Sequence, residues 1–592
     1  MPKENTTRFG RVALAVLALL VSAAAAAADD TERFRALYEK EWTFRMQEFP
    51  VFASSLGHAD QAGRLGRVSE ADQARRHAFW MDIRTGLSTI SCERLDRADC
   101  VNYRIFQRQI EDFIADYETR AYRIPFNSDW GFYMAWTRLP GETRFARADD
   151  YRDYLSRLHE LPAVMDEYIA LMRKGLETGM TQPRVVLDGR DEPIRAQLVD
   201  AVEDSPFYGP FLELPESVAG GARSELLDTA KRVVGEDVIP AFRRLQAFLE
   251  NEYLPGARTT LAATELPGGE RFYAAQIRRY ATVEMTPEEI HQLGREEVAR
   301  IRAEMEAIID DVGFEGDFRA FIGFLRTDPQ FYAKTPRELL AYASYVAKKV
   351  DGRLPALFGR LPRQPYGVAA VPDDIAPFFT AGRYVGAPLD AHRGGYYWVN
   401  THALESRPLY AIPALTLHEA APGHHTQSAL AKEQAGQPPF RRYDYISAYG
   451  EGWALYAEKL GIEMDIYETP YEHFGRLTYE MWRACRLVID TGIHAFGWSR
   501  EQAIDFLASN TALSMHEVRT EIDRYIAWPG QALAYKIGQL KILGIRRDAE
   551  ARLGDRFDIK AFHAELLKEG PIPLSMLEAR IHAWVERQLE SA

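Results

Sequence analysis

The chain has 592 residues, too many for one simple core, so two or more lobes or one large helical domain are expected. Its 46% hydrophobic and 27% charged residues match an ordinary soluble globular protein. A net charge of -14, with no clustered basic segment to track phosphates, argues against a nucleic-acid partner.

The first 28 residues read as a secretory signal peptide. Lys3, Arg8 and Arg11 form the basic start, VALAVLALLV the apolar run, and a string of alanines precedes Asp29-Asp30. The expectation is a periplasmic or secreted protein with no membrane association after cleavage. A retained anchor is the alternative, although the run from Val12 to Ala28 is slightly short for a span. No cysteine lies near the cleavage point, which argues against a lipid-anchored form.

Export makes a disulfide between Cys92 and Cys100, close together in SCERLDRADC, the expected pairing, with two free thiols as the alternative. Cys485, in the helical stretch MWRACRLVID, reads as a core thiol. Cysteines spread this way do not make a zinc-thiolate site.

Most of the mature chain carries helix signals. Thr286-Pro287-Glu288-Glu289 sets a capping threonine, a proline at the first helical position and a glutamate at the third. Ile290, Gly294, Val298, Ile301, Met305 and Ile308 then recur at helical spacing. Thr335-Pro336-Arg337-Glu338 and Ser499-Arg500-Glu501-Gln502 repeat the start signal. Strand signals are few: VAAVP at 368–372 and GGYYWVNT at 394–401. Segments rich in Pro and Gly near 204–221, 254–269 and 351–395 read as loops. A mainly α fold with a small β element follows. An N-terminal helical portion spans 29–270, and a C-terminal portion, 271–592, carries the chemistry.

That chemistry centres on LTLHEAAPGHHTQ, residues 415–427. His418-Glu419 opens like the zinc-protease pattern H-E-x-x-H, but Pro422 stands where the second histidine belongs, and His424 and His425 follow. On an ideal helix, His418 and His424 would differ by ~240° and ~9 Å along the axis. His418 and His425 would share a face but sit ~10.5 Å apart. Pro422 removes a helical hydrogen bond and Gly423 frees the backbone, so a broken turn can bring a downstream histidine back to His418. A decayed or purely structural histidine cluster is the alternative. Downstream, SAYGEGWALYAEKLG (447–461) offers Glu451, a carboxylate from a second helix of the kind that completes a two-histidine zinc site. A solvated surface glutamate is its bland reading. Glu458, seven residues later, either supports a ligand from behind or lies on the surface.

HEAAPGHHTQ followed by YGEGWALYAEKLG resembles a bacterial family of unknown function marked by H-E-x-x-P-G-H-H. DTGIHAFGWSREQAIDFL and EIDRYIAWPGQALAYKIGQL extend the likeness through the C-terminal half. That family is grouped with gluzincin metallopeptidases, whose zinc is held by two histidines and a glutamate. The resemblance implies a large helical metallopeptidase-like fold with a deep cleft. It also implies His418, His424 and Glu451 as ligands of Zn2+ and Glu419 as general base, with His425 the rival for the second histidine.

In RYIAWPGQALAYKIG the resemblance makes Tyr535 the candidate oxyanion donor, and Arg524 or Lys536 the partner of a substrate carboxylate. Helix packing for the tyrosines and a wet face for the cations are the alternatives. His494, four residues after Asp490, is either an orienting group at the substrate site or a core histidine satisfied by that aspartate. GGYYWVNT is a candidate edge strand to which an extended peptide adds, or a strand that merely covers the core. The expected protein is an exported zinc peptidase acting on a peptide substrate. A zinc hydrolase of a non-peptide amide or ester, and a catalytically inactive helical binding protein, are the rivals.

Overall fold

The computed structural model describes residues 29–590 except 128–129, 374, 388–392 and 435. The expected signal peptide lies outside the described residues. The chain forms two compact units, one of Met1–Thr259 with Pro438–Phe440, the other of Thr260–Gln437 with Arg441–Ala592. The division falls at Thr259–Thr260, where the sequence reading placed it near 270. The reason is local: in the segment just after Thr260, the Ala263 N–H donates to His494 Nδ1 and the Thr264 hydroxyl donates to the His494 carbonyl, which binds that segment to the second unit.

The first unit is helical. Helices α1 (Arg97–Glu118) and α2 (Ala148–Thr178) are its longest with both ends described. Helix α2 buries Tyr151, Tyr154, Leu155, Leu158, Leu161 and Met165 at helical spacing, and these join the unit's hydrophobic core. Cys92 and Cys100 are disulfide-bonded, with Cα atoms 4.9 Å apart, as the spacing and export led one to expect. The returning segment is held by Phe440, whose ring lies 4.9 Å from that of Phe106 and whose carbonyl accepts from Gln109.

The second unit is built on long helices and one small sheet. Helix α3 (Pro287–Asp311) starts with the expected reciprocal cap between Thr286 and Glu289. Its buried row is Ile290, Gly294, Ile301, Met305 and Ile309. Ile309, four residues after Met305, takes the core position the sequence reading gave to Ile308. Thr335 caps α4 (Pro336–Leu357). Strands β1 (Tyr366–Ala370), β2 (Gly382–Val385) and β3 (Gly395–Val399) form a sheet in the order β1-β3-β2. Strand β3 pairs parallel to β1 and antiparallel to β2. The expected edge strand in GGYYWVNT is therefore central, with both sides paired, and cannot accept an added peptide strand. β2 has only Arg383, Tyr384 and Val385 as a strand-like run, inside a stretch read as loop.

Helices α5 (Ile412–Glu419), α6 (His424–Lys432), α7 (Ser447–Glu463), α8 (Pro470–His494), α9 (Met515–Ala527) and α10 (Ala534–Leu553) complete the part that matters for chemistry. Helix α8 is buried along nearly its whole length. It carries a stripe of charge at three- and four-residue steps: Arg476, Glu480, Arg483, Arg486, Asp490 and His494. A charged stripe inside a core requires partners from the helices around it. Cys485 is the expected buried thiol. Among the described residues, no helix is long and apolar enough to cross a membrane.

Candidate metal centre

The sequence HEAAPGHH becomes two helices joined by a tight turn. α5 ends at Glu419 and α6 begins at His424, the Ala421–Pro422 bond between them being cis. A Cβ on Gly423 would collide with the His418 and Leu417 carbonyl oxygens, so this position admits only glycine. The turn is pinned from α7 by Trp453, whose indole N–H donates to the Pro422 carbonyl at 2.8 Å. The break cancels the offset of an unbroken helix. The His418 and His424 rings come to 4.8 Å between centroids.

Glu451 meets them from α7. Its Oε2 lies 3.6 Å from His418 Nε2 and 3.4 Å from His424 Nε2. One donor atom from each of the three residues falls within 4.8 Å of the others, the arrangement a single ion needs. A tetrahedral zinc with ligands at about 2.0–2.1 Å sets its donors about 3.3–3.4 Å apart, so the two carboxylate–imidazole separations fit such an ion closely. His418 Nδ1 lies 2.7 Å from Glu458 Oε1, and Glu458 Oε2 is buried with no hydrogen-bond partner. A carboxylate behind a ligating histidine fixes the ring and strengthens it as a donor. Although burial opposes it, hydrogen bonds to Glu451 and Glu458 push the His418 pKa up to about 10. Burial likewise disfavours the charged form of Glu451, but His424 and His418 hold its carboxyl well below the usual range. The pull these carboxylates exert on a proton is the pull they would exert on a metal cation.

His424 is fixed by Gln427, whose amide nitrogen lies 2.8 Å from its Nδ1 and donates to the Gly450 carbonyl. His425 turns elsewhere, packed against Tyr366 and with Nδ1 3.2 Å from the Tyr384 hydroxyl. Burial lowers its pKa to about 4. Of the two adjacent histidines, then, His424 joins the cluster. Glu419, mostly buried beside it, accepts the Tyr384 backbone N–H at 2.8 Å. Pairing of Asn400 N–H with the Ala381 carbonyl sets the phase of β2 and turns the Tyr384 N–H away from β3 toward Glu419.

The glycines around Glu451 serve close packing. A Cβ on Gly452 would lie 2.5 Å from Gly538 Cα, so the backbones of α7 and α10 touch there. A Cβ on Gly450 would lie 2.6 Å from the Tyr445 hydroxyl, which donates to Glu451 Oε1 at 2.9 Å. Tyr445 is a site residue that sequence reasoning missed. It lies on an irregular segment before α7, half-exposed, and its only hint is the glycine that makes room for it. Burial of its hydroxyl, then the charges of Glu451, Tyr535 and Glu419, raise its pKa well above the usual tyrosine value, which places those groups in one neighbourhood. The Tyr384 N–H is also new. A main-chain donor leaves no mark in a sequence.

The remaining candidates divide. Tyr535 lies under the Arg486 guanidinium at 4.2 Å, with Arg524 Nη2 3.5 Å from its hydroxyl. Arg524 also donates to Gln531 at 3.1 Å. Lys536, expected to meet a substrate carboxylate, is fully buried, with Nζ 2.8 Å from Glu480 and 2.9 Å from Glu297. It faces away from the Tyr535 side of α10 because adjacent helical residues point about 100° apart. His494, expected at the substrate site, is a core histidine. Its Nε2 bonds the Tyr525 carbonyl at 2.9 Å and its Nδ1 accepts from Ala263. Asp490 takes the Tyr273 hydroxyl at 2.6 Å and the Gly530 N–H.

Solved structures share this architecture. A Colwellia psychrerythraea protein described as "the putative lipoprotein" is 28% identical, with a TM-score of 0.86 over 94% of this chain and 99% of that one. A "putative lipoprotein of unknown function" from Shewanella oneidensis is 19% identical, with a TM-score of 0.68 over 92% of this chain and 99% of that one, a likeness of fold alone. No curated protein matches the chain. A family described as "Bacterial protein of unknown function (DUF885)" matches residues 50–581, and the chain belongs to that family.

Proposed function

We propose that the protein is an exported, zinc-dependent peptidase whose metal is held by His418, His424 and Glu451. The observation that carries this reading is the convergence of those three donors beside Glu419. Two histidines and a glutamate from a following helix are also the ligand set of the gluzincin metallopeptidases, which the sequence resembles. Zinc bound there supplies Lewis acidity and a lower pKa for attacking water.

The chain's own residues do the rest. Glu419, oriented by the Tyr384 N–H, takes the proton of the attacking water and returns it to the leaving amine. Tyr445 and Tyr535 are the hydroxyl donors for the developing oxyanion, Tyr445 leaving Glu451 to do so. Arg524 is the cation for a substrate carboxylate, in a deep cleft. Lys536 and His494 have no part in it. The signal-like first 28 residues, and likeness to a Colwellia protein described as a lipoprotein, support export; those 28 residues hold no cysteine to carry a lipid.

Metal analysis of the purified protein, followed by a peptide-library digest of wild type and Glu419→Gln, tests the reading. We expect about one zinc per chain in both, and hydrolysis reduced about 10²- to 10⁴-fold in the variant. Equal rates would remove Glu419 as base. Loss of zinc in Glu419→Gln would make it a ligand. Cleavage of esters or non-peptide amides alone would move the protein to the rival hydrolase class, and zinc without any hydrolysis would leave a binding protein.

A further inference from the structure

A concave feature of the second unit lies off the metal cluster. It is a cavity of about 210 Å³ whose lining includes Arg326, Arg407, Leu415, Thr478, Tyr479 and Glu517. Four of its lining residues carry a buried polar atom that makes no hydrogen bond: Arg326 Nε, Arg407 Nε, the Tyr410 hydroxyl and the hydroxyl of Thr478, itself almost fully buried. A buried donor left unmade costs about 1–3 kcal/mol, so four around one cavity favour a ligand that accepts hydrogen bonds. Arg326 is held ready by its own bonds to the Thr511 carbonyl at 2.9 Å and the Ala508 carbonyl. The lining also holds two carboxyls, Glu405 and Glu517, and burial pushes the Glu517 carboxyl up to about 7.

Position links this cavity to the reaction. Leu415 is on α5, on the same face as Glu419 and one turn before it, about 6 Å along the axis. Ala381, also in the lining, precedes Tyr384 by three residues, about 10 Å of extended chain. An extended peptide advances about 3.3 Å per residue, so the spacings from these two lining residues to Glu419 and Tyr384 are those of two or three substrate residues.

We infer that the cavity lined by Arg326, Arg407 and Thr478 is a further subsite, separate from Arg524, that takes a carboxylate of the substrate, either an acidic side chain or the free C-terminus. This rests on the peptidase reading for its place in catalysis, but not for its ligand chemistry. Two guanidiniums meet a carboxylate with paired, charge-assisted hydrogen bonds, and the Thr478 hydroxyl adds a third donor.

The test is equilibrium binding to the zinc-loaded wild type with three probes. N-acetylglutamate α-amide carries only a side-chain carboxylate, N-acetylglutamine only a terminal one, and N-acetylglutamine amide none. We expect one of the acids to bind roughly tenfold or more tightly than the neutral amide, and the one that does names the source of the carboxylate. Arg407→Gln should erase the difference, and Thr478→Val, a smaller change at the same cavity, should reduce it. Acid and amide binding alike, or a preference that survives Arg407→Gln (as it would for a carboxylate sitting on the metal), overturns the inference.

Peptide kinetics separate this from the reading beneath it. If peptides are cleaved, those bearing the carboxylate that the binding assay selects (a Glu side chain against Gln, or a free C-terminus against its amide) should have a lower KM than their neutral counterparts in wild type, and Arg407→Gln should remove that difference. Cleavage without that preference defeats the subsite alone. Arg407-dependent binding of the acids with no cleavage of any peptide keeps the carboxylate site and defeats the peptidase reading.

Discussion

Two buried charge clusters in the second unit, one around His418 and one around Lys536, look alike in composition and differ in what their atoms do. Around Lys536 the charges close on themselves. Its ammonium pairs with Glu480 and Glu297, Arg300 pairs with the same two glutamates, and Arg476 holds the second oxygen of Glu480. Around His418 the acceptors outnumber the donors. Glu451, Glu458 and two imidazoles converge, and one oxygen of Glu458 has no partner at all. A cluster whose charges pair off is structure, whereas converging lone pairs suit a cation. Both Lys536 and His418 stood in the sequence as candidate functional residues. What separates them is the balance of partners, which no local motif records.

The sharpest break of that contrast is removal of one member from each cluster. His418→Ala should abolish zinc binding, and Glu451→Gln should weaken it strongly, as read by metal content after dialysis. Full occupancy in both would dissolve the distinction. His424→Ala should cost more zinc than His425→Ala, because only His424 faces Glu451.

Lys536→Met is the counterpart in the closed cluster. It removes one of the cations shared by the buried carboxylates of Glu480 and Glu297, which keep Arg300 and Arg476, so it should destabilise the protein by about 1–3 kcal/mol in denaturant unfolding while the zinc content stays whole. Zinc loss at full stability would mean that Lys536 belongs to the site after all. Glu458→Gln probes the boundary between the clusters. It keeps the shape behind His418 but removes the charge, so zinc affinity should fall about 10- to 100-fold with little loss of fold.

The last effect concerns Asp490, a buried carboxyl outside both clusters. Burial raises its pKa to about 7 despite the donors Tyr273 and Gly530. A folded carboxyl above its ordinary value of about 3.9 holds its proton more tightly than the unfolded chain does. Its contribution is therefore whole below about pH 4 and is lost as pH rises to about 7. The difference in unfolding free energy between wild type and Asp490→Asn should decline across that window and be flat outside it. A difference that is flat throughout would mean an ordinary ionised aspartate.

Much of this was legible in the residues. Capping at Thr286, Thr335 and Ser499 is local, since a side chain meets a backbone N–H three positions on, and each cap formed where its signal stood. The mainly helical class, the Cys92–Cys100 bridge and the buried Cys485 rested likewise on spacing and composition. At the site, Pro422 and Gly423 announced a broken helix, and breaking it brings His424 to His418. Tertiary structure decided the rest. It placed β3 between two partners, because strand order depends on pairings across some thirty residues. It also buried Lys536 against Glu480 and Glu297, which come from two other helices, and gave His494 to the backbone at 525 and 263. Tyr445 reached Glu451 through the space left by Gly450, and the Tyr384 N–H reached Glu419 from a strand no pattern marked. A side chain's type and spacing set which bonds it is able to make; which of them it makes depends on the partners that distant segments bring to it.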